Sequence, residues 1–206
     1  MAILNILKSK VNFKTNILFC TKSAKFSNRQ LNDIVDLRKL ESEDTKTIEY
    51  IWEKHHSNSP SKCSSTLNIE QFEKIMKRSK IGKRFVFPVP TGKKFFVVYS
   101  EFQDNFCIMT SLEAFRLQKG DSYPYFILSF YDELIDSRDI SLVRGQVLNE
   151  HMNIEQGKYL MEQTIGHYLD DKKFERVRIF NTEPKKFDLA KYFKSLGFDY
   201  RNLVGK

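Results

Sequence analysis

The stretch RFVFPVPTGKKFFVVYSEFQDNFCIMT, residues 84–110, decides the fold class of this chain. It contains three segments rich in Phe, Val and Tyr, at residues 84–90, 94–102 and 106–110, separated by very short polar connections. Such residues favour strands, and connections of a few residues join antiparallel neighbours. Pro88 and Pro90 cannot donate to a ladder, so the first strand is expected at a sheet edge or a bulge.

Helical patterns precede this stretch. Apolar residues recur at helical spacing over residues 31–40 and 48–55. Asn68 and Gln71 have the spacing of a capping box and predict the start of a third helix. The polar segment at residues 57–65 is expected to be a loop.

Strand and helix patterns alternate after residue 110. Thr110 and Glu113 predict a helix that ends near Gly120, and residues 132–137 predict one helical turn. Further strands are predicted at residues 125–131, 140–148 and 174–180, and further helices from Asn153 to Leu169 and from Phe187 to Leu196. The order predicts the α+β class, with a mainly antiparallel sheet packed with helices and N-terminal helices preceding the sheet.

The positive charge of the chain is concentrated at its N-terminus. The net charge is +8, yet residues 1–30 contain six Lys or Arg and no Asp or Glu, which leaves about +2 for the rest. An acid-free basic segment rich in Ser, Thr and Asn is typical of a mitochondrial transit peptide. We therefore expect a transit peptide at residues 1–30 and a single domain at residues 31–206. The nearly neutral domain argues against nucleic-acid binding, which needs a concentrated basic face.

The sequence lacks the common motifs of catalysis and metal binding. It has no GxxxxGK[ST], GxGxxG, GxSxG or CxxC. His55 and His56 are adjacent, and adjacent helical residues point in different directions, so a shared metal ion is not expected. The acidic residues between Asp132 and Asp139 could form a carboxylate pair or simply a solvated turn. No run of apolar residues is long enough to span a membrane.

Six segments resemble, in the same order, the family of mitochondrial assembly factors that chaperone the beta subunit of F-type ATP synthase. They extend from residue 31 to residue 189 and include the helix around Trp52, the Pro88 and Pro90 strand, and the segment DSRDISLVRGQV. The segments are LNDIVDLRKL (31–40), IEYIWEKHH (48–56), RFVFPVP (84–90), FFVVYSEFQDNFCIMTSLEAFRLQKGDSYPYFILSFYDEL (95–134), DSRDISLVRGQV (136–147) and FNTEPKKFDL (180–189).

The resemblance implies a function. It implies a matrix chaperone, not an enzyme, that binds the free beta subunit transiently and is displaced by the alpha subunit. It implies no cofactor, no metal, no nucleic acid and no insertion into a membrane.

Seven residues of the matching segments are the candidates for contact with a partner. Phe87, Pro88 and Pro90 come first, because prolines should keep their strand at an edge where a partner could meet it. The other candidates are Tyr123, Tyr125, Tyr131 and Arg144. Ordinary core packing or turn geometry is the alternative for each of them, and for Arg144 it is a buried ion pair with Asp136 or Asp139.

Two other functions remain open on the sequence alone. The sequence pI of about 9.3 would suit a mitochondrial RNA-binding or ribosome-associated protein, although the charge of the domain opposes it. The carboxylates between Asp132 and Asp139 would suit a small metal-free hydrolase if they lay in a closed pocket.

Overall fold

The computed structural model describes residues 30–117 and 122–204. Their centre is a six-stranded sheet in the order β1-β6-β5-β4-β3-β2, in which neighbouring strands are antiparallel. The strands are β1 (Lys62–Leu67), β2 (Arg84–Thr91), β3 (Lys94–Gln103), β4 (Phe106–Ser111), β5 (Phe126–Tyr131) and β6 (Ser141–Val147). This confirms the α+β class and the antiparallel sheet.

Eight α-helices are described. They are α1 (Leu37–Glu41), α2 (Thr45–Ser57), α3 (Ile69–Ile81), α4 (Leu112–Leu117), α5 (Ile135–Arg138), α6 (Ile154–Leu169), α7 (Asp171–Thr182) and α8 (Leu189–Ser195). Two 3-10 turns, Leu31–Asp33 and Tyr200–Asn202, lie near the ends of the described chain. The helical pattern at residues 31–40 therefore forms a 3-10 turn followed by α1, not one helix.

Local turn and cap signals account for several element boundaries. Gly92, at φ +59°, begins the two-residue turn between β2 and β3, and Asp104, at φ 52°, does the same between β3 and β4. Both reciprocal hydrogen bonds of the capping box predicted at Asn68 are present at the start of α3, and Asn153 and Gln156 form a second capping box at the start of α6. The strand with the two prolines lies at the sheet edge, as predicted.

The two faces of the sheet pack against different helices. On one face, Phe85 and Phe87 of β2 pack their rings against His167 of α6. On the other face, Trp52 of α2 packs edge-on to Tyr131 and donates a hydrogen bond from Nε1 to the carbonyl oxygen of Val143, at 3.0 Å. Successive strand residues point to opposite faces, so both faces are lined by large side chains.

The predicted strand at residues 174–180 is wrong, because these residues lie within α7. Phe174, Val177 and Phe180 are the buried members of the segment, and their spacing of three residues places them on one helical face. The side chain of Asp170 caps the helix by accepting a hydrogen bond from the backbone N–H of Lys173, at 2.8 Å.

Two further boundary predictions need correction. Residues 57–65 were expected to be a loop, but β1 already begins at Lys62. The Ser-rich sequence of β1 lacks an apolar pattern, and the strand forms by hydrogen bonding to β6. The cap of α4 is Ser111, whose hydroxyl accepts from the N–H of Ala114, while the Thr110 hydroxyl donates to the carbonyl of Tyr123. The predicted end of this helix near Gly120 lies outside the described residues.

Gly145 permits a close approach in the centre of the core. A Cβ atom at this position would lie 2.4 Å from Cζ of Phe126 and 2.6 Å from Sγ of Cys63. We expect Gly145→Ala to destabilise the fold by about 1–3 kcal/mol through overpacking. Gly166→Ala, in α6, is the matched control because its Cβ would meet only Nζ of Lys173, at 3.7 Å. It should be neutral or stabilising by up to about 1 kcal/mol. Urea unfolding of both variants measures the difference, and equal stabilities would contradict the packing argument.

Buried His167 makes the fold sensitive to acid. Its Nδ1 donates to the carbonyl of Gln163 and its Nε2 accepts from the Tyr192 hydroxyl, while burial lowers its pKa to about 4. The unfolded chain, with a histidine pKa near 6.5, binds the proton first, so stability falls as the pH drops below about 6.5 and keeps falling towards 4.

We expect the pH-dependent loss to be measurable by denaturant unfolding. Between pH 7 and pH 5, His167 should account for roughly 2 kcal/mol of lost unfolding free energy. In His167→Gln, the fall over this interval should be smaller by that amount, even if the variant is less stable at pH 7. Parallel pH profiles for the two proteins would contradict the assignment.

Candidate partner-binding surface

The connection between β4 and β5 carries two large apolar side chains that are exposed to solvent. We call α4 together with residues 122–125 the β4–β5 connection. Within it, Leu117 is 77% exposed and Tyr123 is 54% exposed. Large apolar side chains exposed on a folded domain are candidates for burial against a partner.

Buried contacts hold the base of this connection in place. The ring of Phe115 stacks on that of Tyr99 of β3, with centroids 4.7 Å apart. The hydroxyls of Thr110 and Ser122 are hydrogen-bonded at 3.2 Å, and the N–H of Tyr125 donates to the carbonyl of Met109 at 2.8 Å. The exposed side chains therefore project from an anchored segment, which lowers the conformational cost of binding.

The C-terminal end of the described chain extends the same surface. The N–H of Val204 donates to the carbonyl of Phe95 at 2.8 Å, which fixes this end beside β3. Val204 is 45% exposed. A shallow depression lies between it and α4, lined among others by Leu112, Arg116 and Leu203. Glu113 and Arg116 also line this depression, so the surface combines apolar side chains with one charge of each sign.

The seven predicted contact residues occupy very different environments. Tyr123 is exposed, and Tyr125 and Pro90 are half-buried. Phe87 is fully buried and Pro88 is buried, so neither side chain is at the surface of this structure. Tyr131 and Arg144 are also buried, at 2% and 6% exposure. The structure brings Tyr123 and Tyr125 together in the β4–β5 connection and leaves the other five elsewhere.

Sequence reasoning missed Leu117, although a signal was present. Leu112 and Phe115 are three residues apart and form the packed side of α4. Leu117 follows Phe115 by two residues, which places it on roughly the opposite side of the helix. An apolar residue off the packed stripe is the pattern that predicts an exposed anchor. Val204 carries no comparable signal, because its position depends on a contact with β3.

The buried ion pair that was the alternative to partner contact for Arg144 does not form among the described residues. Within residues 30–117 and 122–204, neither Asp136 nor Asp139 lies within salt-bridge distance of it, and Asp139 instead accepts a hydrogen bond from the N–H of Ile69. Arg144 lies near His56, and burial, together with this and other nearby positive charges, lowers the pKa of His56 to about 4. A neutral histidine is compatible with a cation beside it.

The groups that could have supported catalysis or metal binding lie apart. Asp132, Asp136 and Asp139 are exposed rather than enclosed. Nδ1 of His56 donates to the carbonyl of Trp52 at 2.8 Å, and His55 is exposed. In the described part of the chain, no three His, Cys, Asp or Glu side chains are grouped as metal ligands would be. None of the helices described there is both long and apolar enough to cross a membrane.

Comparison with known proteins identifies the family. The family model described as "ATP11 protein" matches residues 8–192, which is most of the chain. A relative from Schizosaccharomyces pombe (strain 972 / ATCC 24843), "Protein atp11, mitochondrial", is 29% identical over 124 residues, covering 56% of this chain and 42% of the relative. The match thus spans less than half the length of that relative. On the extent of the family match, and in agreement with the resemblance of its sequence segments, this chain belongs to the ATP11 assembly-factor family.

Proposed function

We propose that this chain is a chaperone of ATP synthase assembly in the mitochondrial matrix. It binds the free beta subunit of the catalytic head, prevents its aggregation and releases it to the alpha subunit. Membership of the ATP11 family and a relative named mitochondrial support this proposal. The acid-free basic segment at residues 1–30, which lies outside the described residues apart from Gln30, supports import as a precursor.

The observation that carries the proposal is the exposure of Leu117 and Tyr123 on an anchored connection. A free beta subunit exposes apolar surface that the assembled enzyme buries against alpha, and large exposed apolar surfaces aggregate. A few apolar and aromatic anchors can supply most of the affinity of an interface. The β4–β5 connection offers such anchors without a deep cavity.

Transient binding follows from the modest size of the surface. A stable interface buries roughly 800 Å² on each partner, with a well-packed centre. The β4–β5 connection and Val204 supply only a small group of exposed apolar side chains. A chaperone must bind its client more weakly than the permanent partner does, so that the permanent partner can displace it. We therefore propose binding and release, without catalysis or a cofactor, as the activity.

Co-purification tests the choice of client. The full-length chain, expressed with the matching beta subunit, should retain beta on an affinity resin, and added alpha subunit should release it. Retention of alpha alone, or retention that alpha does not reduce, would contradict the proposal. RNA retained in place of beta, and lost as the salt concentration rises, would favour the RNA-binding alternative.

Substitution of Leu117 tests the surface. Leu117→Ser removes an exposed apolar anchor, so we expect the affinity for beta to fall about tenfold, or about 1.4 kcal/mol. Its thermal stability should change little because the side chain is 77% exposed. Tyr50→Ser is the matched control, since Tyr50 is 65% exposed on α2, a different helix. Equal affinities of both variants for beta, measured by titration, would exclude the β4–β5 connection as the binding surface.

A further inference from the structure

The edge of the sheet formed by β2 offers little opportunity for a further strand to pair with it. The turn at Gly92 makes Thr91 and Lys94 a hydrogen-bonded pair. Because hydrogen-bonded and non-hydrogen-bonded pairs alternate along the ladder, every second residue of β2 directs its backbone N–H and C=O away from β3. These residues are Arg84, Val86, Pro88 and Pro90. The two prolines have no N–H to offer there.

Side-chain amides occupy other groups on the same edge. The N–H of Arg84 donates to Oδ1 of Asn181 at 3.1 Å, and Nδ2 of Asn181 donates to the carbonyl of Arg84 at 2.6 Å. Nε2 of Gln156 donates to the carbonyl of Pro90 at 2.9 Å. A partner strand would therefore find few free donors and acceptors along β2.

The opposite edge, formed by β1, is open. The N–H of Val147 donates to the carbonyl of Ser61 at 2.8 Å. This bond shows which residues of β1 direct their backbone groups towards β6 and which direct them away from it. Lys62, Ser64 and Thr66 consequently direct their backbone N–H and C=O away from β6. Within residues 30–117 and 122–204, these outward groups have no hydrogen-bond partner, and their side chains are only half-buried. The strand contains no proline.

The two sides of this edge differ in chemistry. On one side lies α2, where Oε1 of Glu49 accepts a hydrogen bond from the Thr66 hydroxyl at 3.5 Å. Glu53 is four residues further on and so lies on the same side of the helix. On the other side Cys63 and Met161 are buried, and the exposed Lys158 and Glu162 of α6, which lie near Cys63, carry opposite charges. An acidic side and a side whose two charges offset each other therefore flank a row of unpaired backbone groups.

We infer that the free edge of β1 binds an extended segment of a partner protein by strand addition. The segment that fits carries basic residues at alternate positions, facing Glu49 and Glu53. The uncharged residues between them face α6, where Lys158 and Glu162 offset each other's charge. Only an extended backbone presents donors and acceptors at the spacing of this edge. The inference concerns how a partner backbone is held, whichever protein supplies it, and so it goes beyond the proposed client.

A second copy of this chain fits the edge less well. Two β1 strands paired antiparallel about a two-fold axis would place both α2 helices on the same face of the joined sheet. Glu49 and Glu53 of one copy would then approach those of the other, and like charges in such positions repel. β1 itself supplies a single charged residue, Lys62, to offset them. A separate basic segment meets the acidic side without this repulsion.

A peptide of defined sequence tests the inference on the full-length chain. The probe is a fluorescent octapeptide of alternating valine and lysine, with a valine–glutamate octapeptide as its control. We expect the wild-type chain to bind the lysine peptide at least tenfold more tightly than the glutamate peptide. Ser64→Pro removes an outward N–H that the β1–β6 ladder does not use, so it should weaken binding at least tenfold. Ser64→Ala keeps that N–H and should bind as the wild type does.

A second measurement does not depend on the proline variant folding. Amide hydrogen exchange at Lys62, Ser64 and Thr66 of the wild-type chain should slow when the lysine peptide is added. Failure of the wild type to bind, equal binding by a folded Ser64→Pro variant, or unchanged exchange at these amides would each overturn the inference. So would a wild-type dimer that Ser64→Pro converts to monomers, because a second copy would then occupy the edge.

Discussion

The insertion of β6 between β1 and β5 is the pairing on which the rest of the structure depends. Without β6, β1 has no neighbouring strand, and Trp52 of α2 loses the Val143 carbonyl that accepts its indole hydrogen bond. The same strand supplies Gly145, whose missing side chain lets Phe126 and Cys63 approach. One strand, located late in the sequence, therefore supplies contacts that both faces of the sheet need. Such non-local pairing carries a larger entropic cost of loop closure than a hairpin does.

The high aromatic content of the chain is explained mainly by packing. Phe85 lies within ring-contact distance of Phe87, Phe180, Phe187 and Tyr192, so strands and C-terminal helices meet through aromatic edges and faces. No Phe is among the strongly exposed apolar residues of the described chain. The surface that carries the proposed function is formed by a few leucine, tyrosine and valine side chains. Aromatic composition thus indicates a large core, and the exposed anchors are a separate feature.

The sequence predicted elements whose signals are local. The β2–β3–β4 meander, the capping box at Asn68 and the edge position of the proline strand all follow from turn and cap chemistry. The sequence did not reveal β1, because this strand is stabilised by pairing with the distant β6. The alternating apolar residues at 174–180 also could not be told apart from a helix whose buried residues are three apart. The candidate site was harder still, because exposure depends on which face of each element the fold covers. Phe87 and Tyr123 are similar in sequence chemistry, yet one is enclosed and the other is not.

The unequal edges of the sheet limit how far this protein can assemble with itself. Joining identical subunits head to tail through their sheets requires one subunit's open edge to meet the other's opposite edge. Here that opposite edge presents prolines and backbone groups already bonded to Asn181 and Gln156, so it offers the open edge of another subunit few groups with which to pair. Fibre growth through the sheet is therefore blocked by the geometry of a single strand. In the proposed role of covering aggregation-prone subunits, the chain is in this respect protected against polymerisation of its own.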